Sequence, residues 1–174
     1  MASDAGSGRS VNADKGKTSF DAYKEGRTTP IIRLTVQLVL AARRWRSLLD
    51  EKLRPIEQSS ARMEAMSAIM NSPALSPQVD IAKRLRIEGP TLTRMLDSLE
   101  KDGLVQRLPD PNDRRTNQLR LTDAGEDRLA EIFGVADTYR QRLMADFSEE
   151  EIETINRFLA RLLERLDEGL PGPE

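Results

Sequence analysis

Along most of this 174-residue chain, apolar residues recur at helical spacing, and the rhythm breaks once. Between Gly103 and Thr122 it gives way to two short alternating stretches, Leu104-Val105-Gln106-Arg107 and Gln118-Leu119-Arg120-Leu121. Alternation of that kind marks a half-buried strand, and the Pro, Asn and Asp between the two stretches suit a turn. The turn reads DPNDRRT over residues 110–116. A surface turn has use for Pro, Asn and Asp, but no need of two adjacent arginines held beside an aspartate.

Six helices are expected around this hairpin. Ile31, Leu34, Leu38, Ala41, Trp45, Leu48 and Leu49 predict a first helix, ending before Arg54-Pro55 because a residue preceding proline avoids helical angles. Ser59 or Ser60 can cap a second, with Met63, Met66, Ile69 and Met70 on one face. Ser76-Pro77 reads as cap and first residue of a short third helix, Pro77 to Leu85, that buries Val79, Ile81, Ala82 and Leu85. A fourth starts near Gly89-Pro90 and carries Leu92, Met95, Leu96 and Leu99 as its stripe, with Gly103 where a C-terminal cap belongs. Thr122 caps a long fifth helix with Leu129, Ile132, Phe133, Ala136, Leu143 and Phe147. Ser148 and Glu151 make a capping box for a sixth, with Ile152, Ile155, Leu159, Leu162 and Leu166.

Two short helices joined by a tight turn and followed by a two-stranded hairpin describe a winged helix-turn-helix. The expected fold is mainly α: a winged helix-turn-helix with long N- and C-terminal dimerisation helices. Residues 1–29, rich in Gly, Ser, Asp, Lys and Thr, read as a disordered arm. Residues 30–58 read as the N-terminal dimerisation helix, 59–121 as the winged DNA-binding domain, and 122–170 as C-terminal dimerisation helices. The long outer helices carry more apolar surface than the winged unit can cover, and a second subunit is the simplest partner.

Composition removes several function classes. The chain has no cysteine and no histidine, which excludes disulfides, thiolate metal sites, His-ligated zinc and Ser-His-Asp or Cys-His catalysis. The carboxylates, hydroxyls, lysines and two tyrosines that remain stand in no recognisable catalytic arrangement, so no enzyme, metal site or cofactor is expected. No apolar run approaches the roughly 20 residues that span a bilayer, and the N-terminus lacks the apolar core of a secretory signal; a cytoplasmic protein without membrane contact is expected. The net charge of −2 comes from residues 122–174, with 6 basic and 14 acidic side chains. Nucleic-acid binding requires a local basic face rather than a basic protein, so the overall charge does not exclude it.

The fourth helix turns Thr91, Thr93, Arg94, Asp97, Ser98 and Lys101 away from its apolar stripe. Hydroxyls can bond phosphates or base edges, an arginine fork can read guanine, and a helix N-terminus attracts phosphate. An ordinary amphipathic helix with a solvated polar face has the same pattern. In the loop, Asp113 can hold Arg114 or Arg115 in a fixed direction, and an arginine so oriented suits the narrow, electronegative minor groove. Arg107 and Arg120 on the flanking strands could add phosphate contacts. The plainer alternative is a surface ion pair of about 0–1 kcal/mol. Helix and hairpin together favour DNA binding, because a duplex is gripped by both.

The run SPQVDIAKRLRIEGPTLTRMLDSLEKDGLVQRLPDPNDRRTNQLRLTDAGEDRL resembles the DNA-binding region of the MarR family of bacterial transcription regulators. The D-x-R wing followed by L-x-L-T-x-x-G is its most specific part. With RRWRSLLDEKLRP in the first helix, the similarity extends over roughly residues 31–168 and is nearest to the SlyA-like subgroup. The resemblance implies a homodimeric, sequence-specific transcriptional regulator, a repressor on a pseudo-palindromic operator in double-stranded DNA. Arg115 then matches the wing arginine of the minor groove, Asp113 the carboxylate that orients it, and Arg114 a second wing contact. Pro90, Thr91, Thr93, Arg94 and Ser98 fall at positions of the major-groove helix.

The resemblance also implies release by a small aromatic acid or aromatic acyl-CoA bound between the dimerisation helices and the winged domain. Arg44, Trp45, Leu49, Arg62, Met63 and Met66 occupy the corresponding region. Methionine offers an adaptable apolar surface, and arginine pairs with carboxylate. The alternative is that Trp45 and the methionines fill the core. Arg44 is expected on or beside the buried face, where it needs a partner such as Asp137, Asp146 or an anionic ligand. The competing function is a helical dimeric interaction module without specific DNA binding.

Overall fold

The computed structural model describes residues 20, 24, 26–73, 75–110 and 117–169. It divides into two compact units, residues 1–48 and 49–174. Asp113, Arg114 and Arg115 and most of the expected arm lie outside the described residues.

Helix α1 spans Pro30–Leu53, and the Thr29 hydroxyl accepts from the Ile32 amide at its start. In the first unit its side chains are mostly exposed, Ile31, Leu34, Val36, Leu38, Val39 and Leu40 among them. The last turn supplies Leu49 and Leu53 to the core of the second unit. A short 3-10 turn, Arg54–Ile56, follows.

In the second unit, α2 spans Ser60–Met70, α3 Gln78–Leu85 and α4 Gly89–Lys101. Strands β1 (Val105–Pro109) and β2 (Asn117–Leu121) pair antiparallel, with Val105 opposite Leu121 and Pro109 opposite Asn117. Helices α5 (Asp123–Met144) and α6 (Glu149–Glu168) complete it. The element order is the winged helix-turn-helix order expected of the sequence. Its core joins Leu49, Leu53, Met66, Ile81, Leu92, Leu96, Leu99, Leu129 and Ile132, all less than 2 % exposed.

Local chemistry sets the element ends. Ser59, of the two candidate caps, accepts from the Arg62 amide, while the Ser60 amide donates to Asp50 Oδ1 at 2.7 Å. Helix α4 ends in a Schellman motif. Gly103 takes φ +71°, its amide donates to the Glu100 carbonyl, and Leu104 N–H reaches the Leu99 carbonyl at 2.9 Å. Thr122 Oγ1 accepts from Gly125 N–H and donates to the Gly103 carbonyl, tying the start of α5 to the end of α4. The capping box of α6 forms as expected, with Ser148 and Glu151 bonded reciprocally.

Some expectations are corrected. Ser76 does not cap α3: Pro77 is the capping residue, and the Ser76 hydroxyl donates to the Pro73 carbonyl at 2.7 Å. The Ser76 carbonyl instead accepts from Leu119 N–H, and Pro77 bridges Gln118, so this segment runs beside β2 as a third, one-bridge edge. Val79 is not buried; it is 57 % exposed and lines an open groove with Ala82, Lys83, Arg86 and Ile87. Met70, the last residue of α2, is exposed beside Leu75 rather than in the core. Phe133, Leu143, Phe147, Ile155 and Leu166 are exposed as well, because helical periodicity marks an apolar face without saying what covers it.

Candidate nucleic-acid interface

Helix α4 enters its first turn with Glu88 as cap, no side-chain cap bond, and Pro90 near its start. Proline there removes an amide that the helix could not have bonded, and its fixed φ suits helix entry. Leu92, Leu96 and Leu99 are fully buried, so the rotation of α4 about its axis is set by a dry seam. The opposite face presents Pro90, Thr91, Thr93, Arg94, Asp97, Ser98 and Lys101, all exposed.

These polar residues divide by what they bond. Thr91, Arg94 and Lys101 have no side-chain hydrogen bond or ion pair among the described residues. Thr93 Oγ1 donates to the Gly89 carbonyl and accepts from Gln78 Nε2 at 2.8 Å, which ties the first turns of α3 and α4 together. Ser98 Oγ accepts from Arg62 Nη1 at 2.8 Å. An exposed arginine with no partner among the described residues is available to an outside acceptor, whereas a hydroxyl already bonded on both sides serves first as a strut.

The two arginines expected elsewhere prove to grip α4. Arg107, suggested as a strand phosphate contact, has a side chain only 17 % exposed. It pairs with Asp97 at 2.7 Å and Glu100 at 2.6 Å, and it also donates to the Thr93 carbonyl. Its charge is already answered within the fold, so the phosphate suggestion is corrected for Arg107. Arg120 stays exposed, its Nε donating across the hairpin to Gln106 Oε1 at 3.0 Å.

Arg62 sends Nε to Gln58 Oε1, Nη1 to Ser98 Oγ and Nη2 to Asp102 Oδ2 at 2.7 Å, with 15 % of its side chain exposed. Two residues that the sequence reading put in different sites, Arg62 with the ligand and Ser98 with DNA, are thus hydrogen-bonded to each other. Nothing local in the sequence signals that pairing.

Of the other residues suggested for an effector, Leu49, Met63 and Met66 are buried in the second unit. In the first unit Trp45 is half-buried and Arg44 exposed. The expectation that Arg44 lies at a buried face needing a partner is therefore corrected. Asp137, one of its suggested partners, pairs with Arg140 at 2.5 Å.

The wing is anchored on both sides of the loop. Gln118 Nε2 donates to Asp110 Oδ2 at 2.8 Å, and Leu119 is buried under the sheet. No helix among the described residues is long and apolar enough to cross a membrane.

Comparison with known proteins agrees with this arrangement. The sequence profile of the MarR family matches residues 59–116. The chain is similar to the transcriptional regulator PA3341, at 31% identity and a TM-score of 0.70 over 78% of this chain and 99% of that one. It is similar to a mutant MarR from E. coli complexed with operator DNA, at 29% identity and a TM-score of 0.69 over 76% of this chain and 95% of that one. It is also similar to MepR from S. aureus in a DNA complex, at 25% identity and a TM-score of 0.67, over 75% and 96% of the respective chains.

Proposed function

The chain belongs to the MarR family, a family of transcriptional regulators rather than enzymes, and from that membership we propose a homodimeric repressor that reads a pseudo-palindromic operator. The single observation that carries the DNA reading is the outward face of α4, where Arg94, with Thr91 and Lys101, stands exposed and without a partner among the described residues on a rigidly seated helix. Two of the similar proteins were solved with DNA, which supports the same use of this face here. In this reading α4 lies in the major groove, Arg94 reads base edges, and Pro90 and Thr91 sit at its leading end. Thr93 and Ser98 hold the helix and offer their remaining lone pairs. The wing places Arg115 in the minor groove with Asp113 orienting it and Arg114 beside it.

The dimer rests on the apolar side chains exposed along α6, Ile155, Phe158, Leu163 and Leu166, which water disfavours and a second subunit would cover. Two-fold symmetry then spaces the recognition helices by about one DNA turn, roughly 34–36 Å. Within the family we place the chain nearest the SlyA-like members, on the strength of the RRWRSLLDEKLRP segment. An organic anion, an aromatic acid or an aromatic acyl-CoA, acts as the releasing ligand, with Arg44 as the exposed cation beside half-buried Trp45. Such a ligand releases DNA only through a difference in affinity for the two states.

The test is fluorescence anisotropy on the duplex upstream of the protein's own gene and on random duplex, over a salt series. A genome-wide selection identifies the operator if it lies elsewhere. The expected result is preference for one sequence with a steep salt dependence, each neutralised phosphate adding about −0.9 to the log-log slope. Weak binding to every duplex, with no site selected, would leave the interaction-module reading in its place. Aromatic acids and their CoA thioesters are then added to the preformed complex, where dissociation is expected from at least one of them.

A further inference from the structure

On a helix, successive residues turn by about 100°, which places Arg94 and Lys101 within about 20° of one another on the outer face of α4. Ser98 and Asp102 fall to one side of that stripe, Asp97 and Glu100 to the other. Each side is held by one arginine from a different element. From α2, Arg62 bonds Ser98 at 2.8 Å and Asp102 at 2.7 Å. From β1, Arg107 bonds Asp97 at 2.7 Å and Glu100 at 2.6 Å. Gln58, one turn before Arg62 on the chain, takes the third guanidinium bond at 2.9 Å and fixes the direction of the fork.

We propose that Arg62 and Arg107 are positioning residues for sequence discrimination, two opposed struts that fix the roll of α4 so that Arg94 meets base edges in one register. The inference rests on the DNA-binding reading above and adds residues that do not themselves touch DNA. A helix with its side chains is about 10–12 Å across, so a roll of 20° moves a side-chain tip by about 2 Å. Hydrogen bonds to base edges do not survive such a shift, whereas attraction to phosphate, which falls off slowly with distance, does. The buried seam of Leu92, Leu96 and Leu99 sets which face of α4 turns outward but, being apolar and non-directional, holds the roll only coarsely; the finer, directional restraint comes from the two forks, with the Gln78–Thr93 bond at the first turns.

The test uses Arg62→Met, which keeps the aliphatic stem, and Asp102→Ala, which removes the same strut from the exposed end. Asp102 is 49 % exposed, so Arg62→Met leaves no buried charge behind. Affinities for operator and random duplex are measured together over a salt series. Each variant is expected to lower the operator-to-random ratio about tenfold, the discrimination of one base contact. The salt slope stays unchanged, and the double variant does no more harm than Arg62→Met alone, since that change already removes the bridge to Asp102. A drop shared equally by both duplexes with a shallower slope would make Arg62 a phosphate contact and overturn the proposal, as would an unchanged ratio.

A measurement without DNA separates this proposal from the reading it rests on. The chain has no native cysteine, so spin labels can be placed on introduced cysteines at Lys101 and Glu131 alone. Arg62→Met is expected to shift or broaden the distance distribution between them. An unchanged distribution would refute the strut whatever the protein does on DNA. Failure of the unmodified protein to prefer any duplex, with the distribution still moved, would remove only the DNA reading.

Discussion

At Gly125 there is no room for a side chain. A Cβ built there would lie 2.0 Å from the Leu104 carbonyl oxygen, which also accepts the Thr122 amide. Backbone cannot yield as a side-chain tip can, so Gly125→Ala forces the first turn of α5 off the end of α4. The expected effect is a loss of about 1–3 kcal/mol in chemical unfolding, the usual size of overpacking; an unchanged midpoint would show that α5 moves freely. The same residue explains why the sequence carries Thr and Gly at that spacing, a cap and a close approach. Arg94 and Arg115 make predictions on function rather than stability. Arg115→Ala is expected to weaken operator binding by about 1–3 kcal/mol without altering subunit association, read by anisotropy and sedimentation. Arg94→Ala is expected in addition to narrow the gap between operator and random duplex. Equal affinity of variant and parent for operator would remove that arginine from the interface.

Elements announce themselves in sequence where their chemistry is local. The stripe of α4 and Gly103 after it, the capping Thr122, and the Ser148–Glu151 box all form as their spacing implies, because each links residues within about two turns. What was not legible is pairing at a distance. Arg62 meets Asp102 forty positions along the chain, Arg107 leaves its strand to hold α4, and Pro77 bridges Gln118. No periodicity records such contacts, and an exposed arginine in a sequence looks the same whether it faces a carboxylate or water. The wing residues Asp113, Arg114 and Arg115 rest on motif alone, outside the described residues. The α6 box makes a prediction with pH. Ser148 donates from its backbone and side chain to Glu151, holding that carboxyl below its ordinary 4.5. A carboxylate depressed in the folded state contributes stability above its unfolded pKa and loses it as pH falls through the folded value. Protection of the first α6 amides in hydrogen exchange is therefore expected to hold above about pH 4.5 and to decline below it. Glu151→Gln is expected to flatten that dependence, and a decline of equal depth in the variant would assign it to other carboxyls.

For the molecule as a whole, the exposed apolar side chains of α6 set the dependence on concentration. If a second copy covers them, unfolding is linked to association and Tm rises with protein concentration. Phe158→Asp, at a position 44 % exposed, is expected to leave the helix intact but weaken self-association at least about tenfold, visible in sedimentation equilibrium. A Tm independent of concentration, with one molecular mass for parent and variant, would mean that α6 has some other cover. The struts on α4 have a last consequence of their own. Asp97 and Glu100, which Arg107 holds, balance Arg94 and Lys101, so the segment Gly89–Lys101 carries no net charge. Random duplex holds a protein mainly through phosphate attraction, and this helix adds little to that hold. If α4 reads DNA as proposed, the residue pairs that aim the helix also leave it little hold on wrong sites, so more of its binding depends on the matched sequence.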